Sequence, residues 1–478
     1  MKAKIIFKGI KWASFEFAFS FTFRFLVKLV LAKLILPKDF GLVGMTTIFI
    51  GVVFAASELG MGAALIQKKE NQDAERLFNT AFWSGLIWGV GLYLLMCFGI
   101  GPIAASFYNE PLLLQLIPVL SLGILLKPLN LIHTVILTRS MNFKKLALIN
   151  NSAALIAGFV GLYTAYIGFG VWALVLNNAI ISVLTVPLLF LTTRWIPKLE
   201  WIKSYFKEII GFSVYSTGTS VFSTITYNAD NLIIGKLLGA SSLGVYTLAF
   251  SLTETLRQAI SSILNKVMYP VFGQLQKNKS KLKSYFLMIV NINAIMIYPI
   301  MFFFVLFGKE MILDIFGTNW GDAVLPLRVL SIAVMIHLII NSFASLLRGL
   351  GYPGLEFKII LGITLFILIP GLYFGIIGWG LLGATIAILV NKISLVIVAL
   401  IFLKKHIKIK LIEIILAVKG AVLSVSISSI LIFILKFICP NMNWIVISIF
   451  YFLFYLIVIL YFEKEMIKLL KVKLLKTK

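Results

Sequence analysis

Acid is what this chain has least of. Its 478 residues carry 18 Asp and Glu against 43 Lys and Arg, a formal charge of +25. There are three histidines and two cysteines. Cys97 and Cys439 sit at or beside apolar runs, which excludes a disulfide framework and a thiolate metal site. His133, His337 and His406 share no metal-ligand spacing. His133 and His337 read as isolated, satisfied core residues, so no metal is expected. P-loop, GxSxG and HExxH patterns are all missing. No polar stretch between apolar runs is long enough to hold a soluble catalytic domain. No catalytic residue can be named, and the chain is not expected to be an enzyme.

What is present in abundance is apolar sequence. Sixty per cent of the residues are hydrophobic, 13% are charged, and the mean hydropathy is +1.03. Runs of about 20 apolar residues recur from end to end, each long enough to cross a bilayer as a helix. The fold class is all-α integral membrane, with about fourteen transmembrane helices. The expected spans are 9–35, 40–66, 77–100, 111–137, 146–167, 170–193, 208–237 and 242–270, then 284–307, 324–347, 357–375, 379–403, 411–436 and 443–462. The basic start MKAKIIFKGIKW leads straight into a full span with no small-residue cleavage site, so no cleavable signal peptide is expected.

The positive charge has a topological pattern. Thirty-one of the 43 basic residues lie on the two termini and alternate loops, including Lys68, Lys69, Arg139, Lys145, Arg194, Lys198, Lys283, Arg348 and Lys408. Intervening loops hold only Lys38, Lys309, Arg328 and Lys436. By the positive-inside rule both termini are cytoplasmic. This accounts for most of the charge without a nucleic-acid partner.

The sequence also repeats itself. LAKLILPKDFGLVG resembles IGKLLGASSLGVYT, aligning Lys33 and Gly41 with Lys236 and Gly244. A GLY-x4-G-x-G pattern at Gly161 to Gly170 returns at Gly371 to Gly380, and Arg139 in LTRSMNF matches Arg348 in LLRGLGY. Each copy holds an even number of spans, so the two six-helix repeats are parallel and not inverted. The expected domains are residues 1–200, residues 201–405, and an appended helix pair with a basic tail at 406–478. Two membrane halves are the usual plan of a transporter with its site between them.

Charges inside the spans are the candidate site. Each costs roughly 2.5–3.5 kcal/mol on insertion scales unless it meets a cavity or a partner. Lys33 and Lys236 lie near helix ends and are expected to snorkel. Arg24, Lys28, Lys127, Arg257 and Lys392 are the substrate-binding candidates. Glu16, Ser20, Arg24 and Lys28 form one stripe at steps of four. Lys127, Asn130, Thr134 and Thr138 form another. Ser216, Ser220, Ser223, Tyr227, Asp230 and Asn231 line one helix, and Glu254, Arg257, Gln258, Ser261 and Asn265 the next. The acids Glu16, Glu58, Asp230 and Glu254 read either as structural ion pairs, Glu254 with Arg257 above all, or as sites for a coupling proton or cation.

LPKDFGLVGM, ELGMGAALIQKKE, YNADNLIIGKLLGASSLGVYTLAF and FGTNWGDAVLPLRVLSI together resemble the Wzx-type polysaccharide flippases of the MOP superfamily, over nearly the whole chain. The resemblance implies a MATE-like fold of two six-helix bundles in a V, plus two C-terminal helices. It implies a bacterial cytoplasmic-membrane protein that moves an undecaprenyl-diphosphate-linked oligosaccharide to the outer leaflet by alternating access. No cofactor is expected beyond proton or sodium coupling. The implied partners are the lipid-linked oligosaccharide, membrane lipid, and polysaccharide polymerase and chain-length machinery. Two alternatives stand beside this: a cation-coupled MATE-type drug antiporter and a membrane glycan polymerase or ligase. The antiporter predicts twelve helices and a carboxylate-rich cavity; the polymerase predicts a large extracytoplasmic loop.

Overall fold

The computed structural model describes residues 2–57, 61–67 and 74–464, and among them the chain is helical with no β-strand. Eleven helices there are long and apolar enough to cross a membrane. The first expected span is a helix, Lys2–Leu34, but the seventh, 208–237, is broken at Asn228. One helix ends at Tyr227, and Asp230 and Asn231 fall on the next, Ala229–Phe250, instead of sharing a helix with Tyr227. Neither Lys2–Leu34 nor Lys203–Tyr227 is among the eleven. By compactness the chain divides into Met1–Thr247 and Leu248–Lys478. This differs from the 200/201 repeat boundary because the helix after residue 202 packs on the second helix.

The first unit begins with α1 (Lys2–Leu34), α2 (Pro37–Ser57), α3 (Met61–Gln67) and α4 (Ala74–Leu94). The expected span 40–66 is therefore two described helices. A π-helical turn (Leu95–Ile100) and α5 (Gly101–Tyr108) carry the next span beyond its expected end at 100. Pro102 does not stop it, because the π turn has already shifted the hydrogen-bond ladder there, with Gly101 N–H donating to the Met96 carbonyl five residues back. Next come α6 (Leu113–Leu120), α7 (Leu122–Arg139), α8 (Phe143–Tyr166), α9 (Val171–Thr193), α10 (Lys203–Tyr227) and α11 (Ala229–Phe250), the last bent at Gly239.

Small residues let two of these segments touch backbone to backbone. A Cβ on Gly41 would lie 1.6 Å from the Ala240 carbonyl oxygen, and one on Gly244 would lie 1.8 Å from that of Pro37. Gly41 and Gly244 are repeat counterparts, as are Pro37 and Ala240 at the same offset. The contact is thus self-complementary, as in an isologous interface. The strap between α9 and α10 is pinned along α4. Trp83 Nε1 donates to the Lys198 carbonyl (2.8 Å), Asn79 Oδ1 accepts from Lys198 N (3.0 Å), and Trp201 Nε1 donates to Ser84 Oγ (2.9 Å). Lys198 also pairs with Glu75 (2.8 Å) and Arg76 with Glu200 (3.2 Å). The Glu75 hydrogen bond, with its charge, raises the Lys198 ammonium above its ordinary pKa.

The second unit holds a π-helical turn (Ser251–Thr255), α12 (Leu256–Gln274), α13 (Lys279–Met311), α14 (Val324–Leu338), α15 (Phe343–Gly349), α16 (Pro353–Ile363), α17 (Ile369–His406), α18 (Leu411–Ile438) and α19 (Trp444–Phe462). Segment 308–323, which lies between two expected spans, continues α13 through a π turn (Ile312–Phe316) and a 3-10 turn (Thr318–Ala323). The run Pro353–His406 is 54 residues, about 80 Å as one helix and far more than a bilayer needs. It folds back at Trp379 and Gly380, where the backbone leaves helical geometry. Gly383 then sits so close to Gly375 that a Cβ would lie 1.8 Å from the Gly375 oxygen. The appended pair docks on a defect in α13. Pro299 has no N–H and so leaves the Ile295 carbonyl without its helical donor. Tyr455 donates to that carbonyl (2.7 Å), and Tyr451 donates to the carbonyl of Pro299 itself (3.1 Å).

At several points where the backbone leaves the helix the copies agree, although Gly168 and Gly239 have positive φ without a counterpart. Gly170 (φ 53, ψ −127) and Gly380 (φ 56, ψ −135) turn alike. Positive φ also recurs at Asn109 and Gly317, Met141 and Gly351, and Arg194 and Lys408.

Candidate functional site

Three of the expected residues meet in the second unit. Arg257 Nε donates to Glu254 Oε2 at 2.6 Å, and Lys392 Nζ lies 3.2 Å from the other oxygen, Glu254 Oε1. Arg257 Nη1 also donates to Asn341 Oδ1. Glu254 is 3% exposed and Arg257 9%, whereas the Lys392 side chain keeps 17% and is the most accessible of the three. Glu254 sits in the Ser251–Thr255 π turn, an insertion that rotates the following side chains relative to a regular helix. Thr253 supports the widened turn by donating to the Ala249 carbonyl (2.9 Å).

One carboxylate shared by two cations leaves a surplus positive charge in a dry layer. Such a charge is costly unless further acceptors reach it. The surroundings are polar: Ser261 donates to Asn293 Oδ1 (3.3 Å) and Ser342 to Asn265 Oδ1 (2.9 Å). Among the described residues, the Nδ2 groups of Asn293 and Asn341 and Nδ1 of His337 are buried without a hydrogen-bond partner. His337 is therefore not the satisfied core residue expected. It shares an electrostatic neighbourhood with Glu254, Arg257 and Lys392. Asn293 on α13, His337 on α14 and Asn341 in the turn after α14 have no spacing that links them to Glu254 and Arg257, so sequence reading left out the two amides and took His337 as isolated. His133 is half satisfied: Nδ1 lies 2.5 Å from Thr193 Oγ1, while Nε2 is buried with no partner among the described residues.

The other candidates are dispersed. On α1, Glu16 accepts from Asn150 Nδ2 (2.8 Å) and Ser20 donates to Asn151 Oδ1 (2.7 Å), so that end of the stripe binds α8. Arg24 is exposed and Lys28 half-buried. Lys127 Nζ lies 3.4 Å from both the Phe54 ring centroid and the Phe54 carbonyl, a hold on α2. Asp230 accepts from the Tyr246 hydroxyl and the Asn231 amide. Lys236 does not simply snorkel; it donates to the Phe107 carbonyl at the end of α5. Glu58, Lys68, Lys69 and the basic tail from 465 lie outside the described residues. Among the described residues no cluster of His, Cys, Asp or Glu could hold a metal, and both cysteines are free thiols.

This architecture is that of multi-spanning membrane transporters. Lipid II flippase MurJ in an inward closed conformation superposes with a TM-score of 0.74 at 14% identity, over 96% of this chain and all of that one. An inward-facing multidrug resistance MATE transporter of the MOP superfamily gives 0.65 at 16% identity, over 81% of this chain and 94% of that one. Residues 30–325 match the polysaccharide biosynthesis protein family, and the chain belongs to it. Among its relatives, the succinoglycan biosynthesis transport protein ExoT of Rhizobium meliloti (strain 1021) is 23% identical over 75% of this chain and 72% of its own. The lipopolysaccharide biosynthesis protein WzxC of Escherichia coli (strain K12) is 24% identical, over 80% and 78%. The teichuronic acid biosynthesis protein TuaB of Bacillus subtilis (strain 168) is 26% identical, over 65% and 64%. This is a multi-pass membrane protein.

Proposed function

We propose that this protein flips a lipid-linked oligosaccharide from the cytoplasmic to the outer leaflet of a bacterial cytoplasmic membrane, with both termini in the cytoplasm. The observation that carries the reading is the buried cluster of two cations on one carboxylate. Arg257 and Lys392 would hold a diphosphate head group, since charge-assisted bonds to phosphate are strongest where water is scarce. The lipid tail stays in the bilayer while the head group crosses. Alternating access is a rocking of one six-helix bundle (1–200) against the other (201–405), with 406–478 appended.

Arg24, Lys28 and Lys127 are secondary contacts on this reading. The cycle needs no cofactor; a proton or sodium ion moving in exchange would meet Glu254 or Asp230. Polymerase and chain-length machinery would take the flipped product. A drug antiporter would present a carboxylate-rich interior, whereas Glu254 is outnumbered by its two cations. A polymerase or ligase would need a large extracytoplasmic segment, and 308–323 is folded into compact helical turns. Deleting the gene should leave lipid-linked oligosaccharide in the cytoplasmic leaflet; unchanged polymer export after deletion would refute the proposal.

A further inference from the structure

A second basic feature lies apart from that cluster, in the first unit. The start of α8 and the end of α9 enclose a cleft of about 540 Å³ lined by Lys145, Leu148, Ile149, Leu191, Thr192 and Arg194. Beneath it, Leu137, Ile149 and Leu189 form a small buried core that fixes the two helix ends relative to each other. Arg194 ends α9 in the left-handed region (φ 55), its amide bonded to the Phe190 carbonyl at 2.9 Å. That conformation is uncommon for a residue with a side chain. Lys145 lies in the first turn of α8, where the helix dipole also favours an anion.

Two properties define the ligand. Among the described residues neither Lys145 nor Arg194 has an ion-pair partner, while the nearby strap cations Arg76 and Lys198 are both paired. The cleft's apolar members Leu148 and Leu191 are 55% and 74% exposed, on helices of membrane-spanning length. Cation and open hydrocarbon side by side suit an amphiphile with an anionic head. The positive-inside pattern places this end of α8 and α9 on the cytoplasmic side, where basic pockets between helices meet anionic lipid.

We propose that this cleft binds the phosphate of a membrane lipid, with Lys145 and Arg194 on the phosphate and the hydrocarbon chain along Leu148 and Leu191. The phosphate has two sources, an anionic phospholipid of the inner leaflet or a polyprenyl phosphate. The proposal stands independently of the Glu254 cluster.

The test uses the full chain in phosphatidylcholine nanodiscs doped with either phosphatidylglycerol or decaprenyl phosphate, with retained lipid counted by native mass spectrometry. Lys145→Gln or Arg194→Gln should weaken retention about fivefold each, and the pair about 25-fold. The double charge-conserving variant Lys145→Arg/Arg194→Lys should retain lipid, and Lys144→Gln, in the same turn but outside the cleft, should match the unaltered protein. Whichever dopant shows this dependence identifies the source. Equal retention by the unaltered protein and the double Gln variant, for both dopants, would overturn the proposal. So would inorganic phosphate displacing either lipid at equal concentration, which would mean that the hydrocarbon contributes nothing.

Discussion

The two units handle buried charge in opposite ways. In the first, Glu16 is held by the Asn150 amide, Asp230 by the Tyr246 hydroxyl, and Lys127 by the ring and carbonyl of Phe54. In the second, Glu254, Arg257 and Lys392 answer one another. A neutral partner fixes one charge and asks nothing more of its surroundings. A cluster with two cations and one anion is incomplete by one negative charge, and its buried amides are incomplete as well. The first arrangement holds helices together; on the proposed function the second would receive an anion.

That contrast can be broken, most forcefully at Glu254. Removing the shared carboxylate leaves two cations facing each other, and breaking a buried pair from one side costs about 3–5 kcal/mol. Glu254→Gln should therefore lower the abundance and melting temperature of the purified protein, and near-normal melting would show that the cluster is solvated. Removing one base is different, because Glu254 keeps the other and the remaining pair is neutral. Arg257→Gln and Lys392→Gln should each leave abundance within about twofold and lower transport at least about tenfold, as for loss of a charge-assisted phosphate bond. Export at the normal rate in both variants would remove the cluster from the site. Lys127→Gln should cost about 1–2 kcal/mol of stability from its cation–π contact and hydrogen bond, and little transport. Glu16→Gln keeps an acceptor for Asn150 and should change stability by less than about 1 kcal/mol. A transport loss at Glu16 or Lys127 as large as at Arg257 would erase the distinction between the units.

Most of the architecture was legible in the sequence because it rests on hydropathy and on turn chemistry. The Gly168-x-Gly170 and Gly378-x-Gly380 patterns were legible as repeat anchors, and the matched dihedrals at Gly170 and Gly380 show why glycine stands there. What could not be read were departures from regular helix. The π turn around Glu254 has no sequence signature, nor has the one at Leu95–Ile100 that carries its span past the expected end at 100. The candidate site was half visible. Glu254 and Arg257 share a helix three residues apart, so their pairing was open to expectation. Lys392, Asn341 and His337 reach them only through tertiary packing. The α1 stripe looked equally promising by spacing, yet Glu16 and Ser20 proved to bind α8, since periodicity identifies a face and not what that face meets.

The central claim is that Arg257 carries substrate charge and does not merely brace the fold. The direct measurement is the leaflet location of the lipid-linked oligosaccharide in cells whose only copy of the protein is Arg257→Gln, with its membrane abundance determined in parallel. The account predicts normal abundance with the oligosaccharide held in the cytoplasmic leaflet. Normal abundance with the oligosaccharide reaching the outer leaflet at the usual rate would contradict it.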